Sequence, residues 1–248
     1  MPAPVAALCY RALRVPRRGH TAEECQDAVA GAPDRSRFAV ADGASESADA
    51  GLWARLLVED FVASPARHLA WSSWLPPLQA RWAAEADALL PGGALPWYLE
   101  ERAREGAFAT FLGVAVEDSA WHALAVGDSC LFQLRGGALL RSFPLQRADE
   151  FGSTPWLIGS RPPGAEVAYE HGQRAEGDWQ AGDRLWLMTD ALAQWFLRQA
   201  EEGGRPWETL GQVLAEAAPD EAFAAWVGVA RALGQLRNDD VTLAAVNL

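Results

Sequence analysis

The sequence predicts an α+β fold, a layered sandwich in which helices pack on the outer faces of antiparallel sheets. Three observations support this prediction. Apolar runs of strand length fall into three groups along the chain, helical patterns separate the groups, and short turns separate neighbouring strands. The middle group runs from strand to turn to strand without a helix, which indicates an antiparallel meander and not a βαβ unit.

Length and composition indicate an ordinary globular protein. The chain has 248 residues, 50% hydrophobic and 22% charged, and we expect one domain over 1–248. The net charge of −12 argues against nucleic acid or an anionic membrane as a partner. Three widely spaced cysteines argue against a disulfide framework, and we see neither a signal peptide nor an apolar run of about 20 residues. We therefore expect a cytoplasmic protein.

The first third of the chain predicts two strands followed by helices. Residues 5–13 and 36–41 are apolar runs, and the second run ends at Asp42-Gly43. A basic, turn-prone segment over 14–20 follows the first run. From Gly51 the apolar positions recur at helical spacing. The predicted helices cover residues 51–64, 78–90 and 97–104.

The rest of the chain predicts a meander and then a mixed segment. The predicted strands cover 107–116, 121–126, 131–135, 138–142, 167–171, 184–188 and 241–247. Hairpin-like turns are predicted at 117–119, 127–129 and 136–137. The predicted helices cover 192–201, 207–217 and 221–236. An irregular segment over 144–163, extending to 165 at most, is too long for a simple connection and is predicted to be a functional flap.

Four aspartates occur beside the ends of predicted strands, and a fifth, Asp27, precedes the apolar pair Ala28-Val29. The four are Asp42, Asp128, Asp190 and Asp239. Each one alone has an ordinary explanation as a turn residue or a helix cap. Strand ends can converge at one edge of a sheet, however, and carboxylates gathered there repel each other unless cations bind. Such hard oxygen ligands favour Mg²⁺ or Mn²⁺.

The positions of the histidines do not predict a zinc site. They are His20, His68, His122 and His171, and no two of them have the spacing of metal ligands.

Five short motifs contain the aspartates in a fixed order. They are Cys25-Gln26-Asp27-Ala28, Phe38-Ala39-Val40-Ala41-Asp42-Gly43, Val126-Gly127-Asp128-Ser129, Gly182-Asp183-Arg184-Leu185-Trp186-Leu187-Met188-Thr189-Asp190 and Asp239-Asp240-Val241-Thr242. In that order, over nearly the whole chain, they resemble the motifs of the metal-dependent serine/threonine phosphatases of the protein phosphatase 2C type.

The resemblance implies a four-layer α-β-β-α sandwich with two Mn²⁺ or Mg²⁺ ions in a cleft at one sheet edge, and a weaker third position. By motif match, Asp42 would bridge both metals and the Gly43 carbonyl would ligate one. Asp190 and Asp239 would hold the first metal. Asp27 would act through metal-bound waters, and Asp128 would help to form the third position. Two cations that share a carboxylate activate a bridging water for attack on phosphorus.

The chain departs from the family pattern at several positions. His20 stands at the nearest match to an arginine that grips the substrate phosphate, as it does in a bacterial branch that the chain resembles. Gln26 stands where many members have glutamate, and Ala191 replaces the glycine after Asp190. The segment over 144–163 lacks the sequence motif that is common in the flap of the family.

The leading hypothesis is a phosphatase that hydrolyses phosphoserine or phosphothreonine on proteins. The implied partner is a phosphoprotein made by a bacterial serine/threonine kinase, and we expect a monomer that binds neither nucleic acid nor a membrane. The alternative hypothesis is a pseudophosphatase that binds a phosphorylated partner without turnover. A third is a phosphatase of a small phosphorylated metabolite.

Overall fold

The fold consists of two five-stranded antiparallel sheets that pack face to face. The structure is a computed structural model that describes residues 8–45, 47, 49–64, 70–89, 104–152 and 154–248. Sheet I has the strand order β10-β6-β5-β3-β2, and sheet II has the order β1-β12-β11-β7-β8. The strands are β1 Cys9–Val15, β2 Asp27–Ala32, β3 Arg37–Asp42, β4 Phe108–Ala109, β5 Phe111–Val116, β6 Ala120–Val126, β7 Cys130–Arg135, β8 Ala138–Phe143, β9 Ile158–Gly159, β10 Gln173–Asp178, β11 Arg184–Met188 and β12 Val241–Asn247.

Helices cover the outer face of each sheet. The α-helices that the structure describes are α1 Ala50–Ala63, α2 Trp71–Leu89, α3 Glu166–His171, α4 Asp190–Glu201, α5 Pro206–Ala215 and α6 Pro219–Ala232. Short 3₁₀ turns occupy Pro33–Arg35 and Ala148–Glu150. The helix predicted over 97–104 lies outside the described residues except for Arg104. Among the described helices, none is both long and apolar enough to cross a bilayer.

The core has three parts, one for each contact between layers. Sheet I packs on α1 and α2 through side chains such as Trp53, Phe61 and Phe111. The two sheets share a second apolar layer. Sheet II packs on α4, α5 and α6 through side chains such as Trp186 and Phe196. Because each sheet buries both faces, strands such as β5 are apolar throughout, and the predicted four-layer α-β-β-α sandwich is confirmed.

The predicted meander is wrong at residues 127–129. β5 pairs with β6, and β7 pairs with β8, so the hairpins at 117–119 and 136–137 are confirmed. The turn between them, however, leads from β6 in sheet I to β7 in sheet II. Gly127 has φ +95°, and a Cβ there would lie 2.6 Å from Thr110 Cγ2, so only glycine suits this crossing. The crossing delivers Asp128 between the two sheets.

Three local predictions also differ from the structure. Residues 167–171, predicted as a strand, belong to the helix α3. The strand β2 was not predicted. The polar strand β10, an edge strand of sheet I, was not predicted either.

Candidate metal centre

Strand pairing brings the predicted site residues of sheet I to one edge. β2 begins at Asp27 and β3 ends at Asp42, and the antiparallel register sets these two residues directly opposite each other. β5 begins beside them, because Thr110 donates its backbone N–H to the Asp42 carbonyl at 2.8 Å. β6 runs back to the same edge and ends at Val126. Asp128 follows two residues later.

Sheet II presents its aspartates at the same edge. β11 ends at Met188, which lies opposite Leu243 of β12 and Cys130 of β7. Asp190 follows the end of β11, and Asp239 precedes the start of β12. The two sheets therefore converge on one edge with five aspartates, as the strand-end pattern predicts.

Hydroxyl groups connect the two sheets at this edge. Thr110 accepts a hydrogen bond from the Asp42 N–H at 3.2 Å, and its Oγ1 lies 2.9 Å from Ser129 Oγ. Thr110 and Ser129 are both buried, and Ser129 follows Asp128 directly. The link holds the end of β3 and the 127–129 crossing in a fixed relation.

Gly43 lets the chain pass close to the first turn of α1. Its N–H donates to the Gln26 carbonyl at 3.2 Å. A Cβ at this position would meet the Ala50 carbonyl and the Gln26 oxygen at 2.9 Å, which real side chains do not tolerate. The backbone after Asp42 is therefore confined, and any larger residue would push it away from Asp27.

Asp27 is buried between the two sheets, and one of its carboxylate oxygens has no hydrogen-bond partner in the protein. Its Oδ2 accepts hydrogen bonds from Thr189 Oγ1, just after β11, at 2.9 Å and from Thr242 Oγ1 in β12 at 2.6 Å. Its Oδ1 is buried and has no hydrogen-bond partner in the protein. Burial raises the pKa of Asp27 to about 7, against the lowering effect of the Thr242 hydroxyl.

The neighbouring carboxyl groups of Asp128 and Asp42 also have raised pKa values. Burial raises the pKa of Asp128 to about 6, and its Oδ1 is buried without a partner. Asp42 is partly exposed at the edge, but protein atoms crowd its carboxyl. Loss of hydration and then the charges of Asp27, Asp239 and Asp128 raise the pKa of Asp42 well above its ordinary value. The carboxylates thus lie close enough to repel one another.

Asp190 and Asp239 are joined by a cation of the protein itself. Asp190 is the first residue of α4, and its Oδ1 accepts the Ala191 N–H at the positive end of the helix. Its Oδ2 pairs with the guanidinium of Arg237. Nε of Arg237 also lies 3.5 Å from Asp239 Oδ2. The two acids therefore face the same guanidinium.

Sequence reasoning missed several residues that build this edge. Asp240, which the sequence showed only as a member of the fifth motif, is buried and accepts the N–H groups of Arg17 and Gln26, each at 2.7 Å. It ties the turn before β12 to the loop before β2. The threonines 189 and 242 were visible only as members of the motifs, and nothing in the sequence signalled the contact of Arg237.

The departures from the family pattern have local explanations. Both polar atoms of the Gln26 side chain form hydrogen bonds. Oε1 accepts the Gly51 N–H at 2.8 Å, and Nε2 donates to the Glu24 carbonyl at 2.9 Å. It supports the start of α1. The Ala191 methyl is buried in the core of sheet II and α4. His20 is partly exposed in the loop before β2, where its Nδ1 lies 4.0 Å from Glu24 Oε2 and its N–H donates to the Arg17 carbonyl.

The segment over 144–165 packs against both helix layers. Its middle lies over the 127–129 crossing, because the Trp156 carbonyl would be 2.9 Å from a Cβ on Gly127. The Trp156 ring is 55% exposed and stacks on His171 with 3.6 Å between ring centroids. The later part is fixed, since Trp53 Nε1 donates to the Ile158 carbonyl at 2.9 Å. The predicted flap therefore has an exposed Trp156 beside the crossing and a buried stretch over 158–160.

The donor set of this edge fits hard divalent cations. Carboxylate oxygens dominate it, and the buried, unpartnered Oδ1 atoms of Asp27 and Asp128 lack positive partners. In the part of the chain that the structure describes, however, no three His, Cys, Asp or Glu side chains already surround a point that could hold one ion. At Asp190 and Asp239, both carboxylates face the Arg237 guanidinium.

Comparisons with known proteins agree with this architecture. The photosystem II phosphatase PBCP is 17% identical, with TM-score 0.57 and 97% and 98% of the two chains covered. The catalytic domain of the serine threonine protein phosphatase PstP, solved with 2 manganese ions, is 20% identical, with TM-score 0.50 and 97% of each chain covered. The phosphatase MsPP from Mycobacterium smegmatis, solved with cacodylate, is 20% identical, with TM-score 0.53 and 99% and 100% covered. At this identity the likeness shows the fold.

The family follows from the sequence profile. A search of curated proteins found no match. The profile described as Protein phosphatase 2C matches residues 17–228, which include four of the five aspartates of the edge. The chain therefore belongs to the protein phosphatase 2C family of metal-dependent serine/threonine phosphatases.

Proposed function

We propose that this chain is a Mn²⁺- or Mg²⁺-dependent phosphatase that hydrolyses phosphoserine and phosphothreonine in proteins. The observation that carries the proposal is the surplus of buried, unpartnered carboxylate oxygen at one sheet edge, on Asp27 and Asp128. Such groups are costly unless a cation joins them. The family and the fold support the phosphoprotein class of substrate.

We assign the roles of the site residues by motif match. Asp42 would bridge two ions, and the Gly43 carbonyl would ligate one of them. Asp190 and Asp239 would hold the first ion, and Asp128 would help to form a third position. When bound, the ions would activate water and offset the negative charge that develops on the phosphoryl group.

The side chains of the protein position these groups. Thr189 and Thr242 fix Asp27 through Oδ2, so its Oδ1 remains able to accept a hydrogen bond from a water molecule. The first turn of α4 orients Asp190 through the Ala191 N–H. We keep His20 as a proposed contact for the substrate phosphate, since it lies partly exposed in the loop that leads to Asp27. We also propose a single-domain, monomeric protein that acts in the cytoplasm.

The test is release of phosphate from a phosphothreonine peptide and from p-nitrophenyl phosphate in the presence of Mn²⁺. The proposal expects turnover that EDTA abolishes and Mn²⁺ restores. Folded, Mn²⁺-loaded protein without turnover would refute it. A panel of small phosphorylated metabolites run alongside would expose a metabolite phosphatase, if one of them is hydrolysed far better than the peptide.

A second candidate is a pseudophosphatase that binds a phosphorylated partner intact. The observation that favours it is the Arg237 guanidinium between Asp190 and Asp239, which fills part of the edge with a cation other than a metal. Calorimetry distinguishes the two. A pseudophosphatase would bind the phosphothreonine peptide without needing Mn²⁺ and would leave it intact after long incubation.

A further inference from the structure

Arg237 brings a permanent positive charge into the aspartate edge. The residue lies in the turn between α6 and β12, and its guanidinium contacts Asp190 of α4 and Asp239 of its own turn. The two carboxylates come from separate elements, so the guanidinium connects them across the edge. Arginine presents several donors in a rigid plane and stays charged at any physiological pH, which suits it to two carboxylates at once.

The charge of Arg237 reaches further than these two contacts. Burial raises the pKa of both Asp42 and Asp128, and Arg237 acts in the opposite direction on each. The guanidinium therefore also partly compensates the charges of Asp42 and Asp128. Its side chain is also 38% exposed, so a route to solvent exists for it.

An ion that Asp190 and Asp239 share would need the oxygens that the guanidinium now contacts. Each of these acids has its other oxygen occupied by a backbone N–H, from Ala191 and Asp240 respectively. The Oδ2 atoms are thus the ones left for a cation, and both face Arg237.

We propose that Arg237 is a tethered competitor of the divalent cation that Asp190 and Asp239 would share. The guanidinium neutralises the two acids in the metal-free protein and has to leave before an ion binds between them. The proposal rests on the proposed function only in assigning these two acids to a metal. Its consequence is a protein whose fold is protected without metal and whose metal affinity is weaker than its carboxylates alone would give.

The test compares Mn²⁺ binding by calorimetry in the unmodified protein and in Arg237→Gln, both freed of metal with EDTA. We expect the variant to bind Mn²⁺ roughly tenfold more tightly, the equivalent of one charged hydrogen bond that no longer has to break. We also expect the metal-free variant to unfold at a lower temperature, because Asp190 and Asp239 then repel each other without a counter-charge. The rise in unfolding temperature on adding Mn²⁺ should accordingly be larger.

The matched control is Arg18→Gln. Arg18 lies beside the same turn, with its N–H on Asn238 and its guanidinium on the Gly228 carbonyl, so the variant removes one positive charge without freeing an acid. We expect its Mn²⁺ affinity to change by less than about threefold, as for an exposed charge screened by salt. Arg237→Lys should fall between the unmodified protein and Arg237→Gln.

The Mn²⁺ affinities of the variants decide whether Arg237 competes with the metal. An affinity of Arg237→Gln that is unchanged, weaker or no different from that of Arg18→Gln overturns the proposal, and so does the absence of Mn²⁺ binding in every variant. If Arg237→Gln does not fold, Arg237→Lys decides by the same comparison with Arg18→Gln. Tighter Mn²⁺ binding without any phosphatase turnover would support competition by Arg237 and would refute only the proposed function.

Discussion

Buried aspartates near the two ends of the strand β11 are in different chemical states. Asp183 precedes the strand and is buried, yet it accepts hydrogen bonds from Arg135 at 2.7 Å, Gln133 at 3.0 Å and the Gln180 N–H at 3.2 Å. Burial alone would raise the pKa of Asp183, but these hydrogen bonds, from Arg135 first, lower it below its ordinary value. At the other end, beyond Met188, the carboxyl groups outnumber their donors and their pKa values rise.

The difference shows that burial at a strand end does not make an aspartate a ligand. Both ends of β11 have one within two residues of the strand. What separates Asp183 from Asp27 and Asp128 is the number of donors that the surrounding residues supply. Asp183 is satisfied by the protein and is structural, whereas Asp27 and Asp128 each keep a buried oxygen that the protein leaves without a partner.

The largest expected effect is on catalysis, from Asp42→Asn. Removing the carboxylate that would bridge two ions should lower kcat/KM by at least about a hundredfold and weaken Mn²⁺ binding. The metal-free variant should be at least as stable as the unmodified protein, because one of several repelling charges is gone. Steady-state kinetics, calorimetry and thermal unfolding measure these effects. Full activity in Asp42→Asn would contradict the assignment of the aspartates beyond Met188 as metal ligands.

The next effect is on stability, from Asp183→Asn, which changes the net charge by the same amount. Loss of the charged hydrogen bonds to Arg135 should destabilise the protein by about 2 kcal/mol, or roughly 4–8 °C in the unfolding temperature. Mn²⁺ affinity and kcat should remain within about twofold of the unmodified values, since this end holds no ion. A selective loss of metal binding in this variant would contradict the structural assignment.

A third effect is the pH dependence of the metal-free fold. Asp27 and Asp128 have raised pKa values, about 7 and about 6, so the folded state binds their protons more tightly than the unfolded chain. The stability they contribute is present below the ordinary pKa of aspartate and is lost as the pH rises through these values. The unfolding temperature should therefore fall by at least about 3 °C between pH 5 and pH 7.5.

Two comparisons sharpen that pH prediction. Asp27→Asn should flatten the fall, whereas Asp183→Asn should leave it in place, because the pKa of Asp183 lies below this range. Mn²⁺ affinity should rise over the same interval, as the ligands lose their protons. If the unfolding temperature of Asp27→Asn falls equally between pH 5 and pH 7.5, groups other than Asp27 cause the pH dependence.

The smallest effect is expected from His20→Ala. If His20 contacts the substrate phosphate, KM should rise by roughly three- to tenfold while kcat changes by less than about twofold. Mn²⁺ affinity should not change, since the contacts of His20 are with the Arg17 carbonyl and Glu24. An unchanged KM for a phosphothreonine peptide would remove His20 from the site.

The sequence predicted the elements whose apolar pattern is strong. The bounds of β11 and β12 were predicted correctly, and those of β3 differ by one residue. β2 was missed because its alanines and glycine have low strand propensity and depend on pairing with β3. The convergence of the aspartates was predictable, because strand ends in adjacent antiparallel strands share an edge.

Other features depend on contacts between distant parts of the chain. A tight turn at 127–129 looks alike in sequence whether its strands pair or enter different sheets, so the crossing was taken for a hairpin. Asp183 stood inside a matched motif, and only its hydrogen bonds separate it from the acids of the edge. The position of the Arg237 guanidinium depends on a long side chain that meets α4 across the fold.

The most direct test of the central claim is anomalous diffraction from a crystal soaked in Mn²⁺. The account predicts two manganese peaks about 3.5–4 Å apart at the edge between Asp27 and Asp190, with the Asp42 carboxylate between them, and no peak at Asp183. Peaks only at other positions, or a folded, soaked protein with no manganese at this edge, would contradict it.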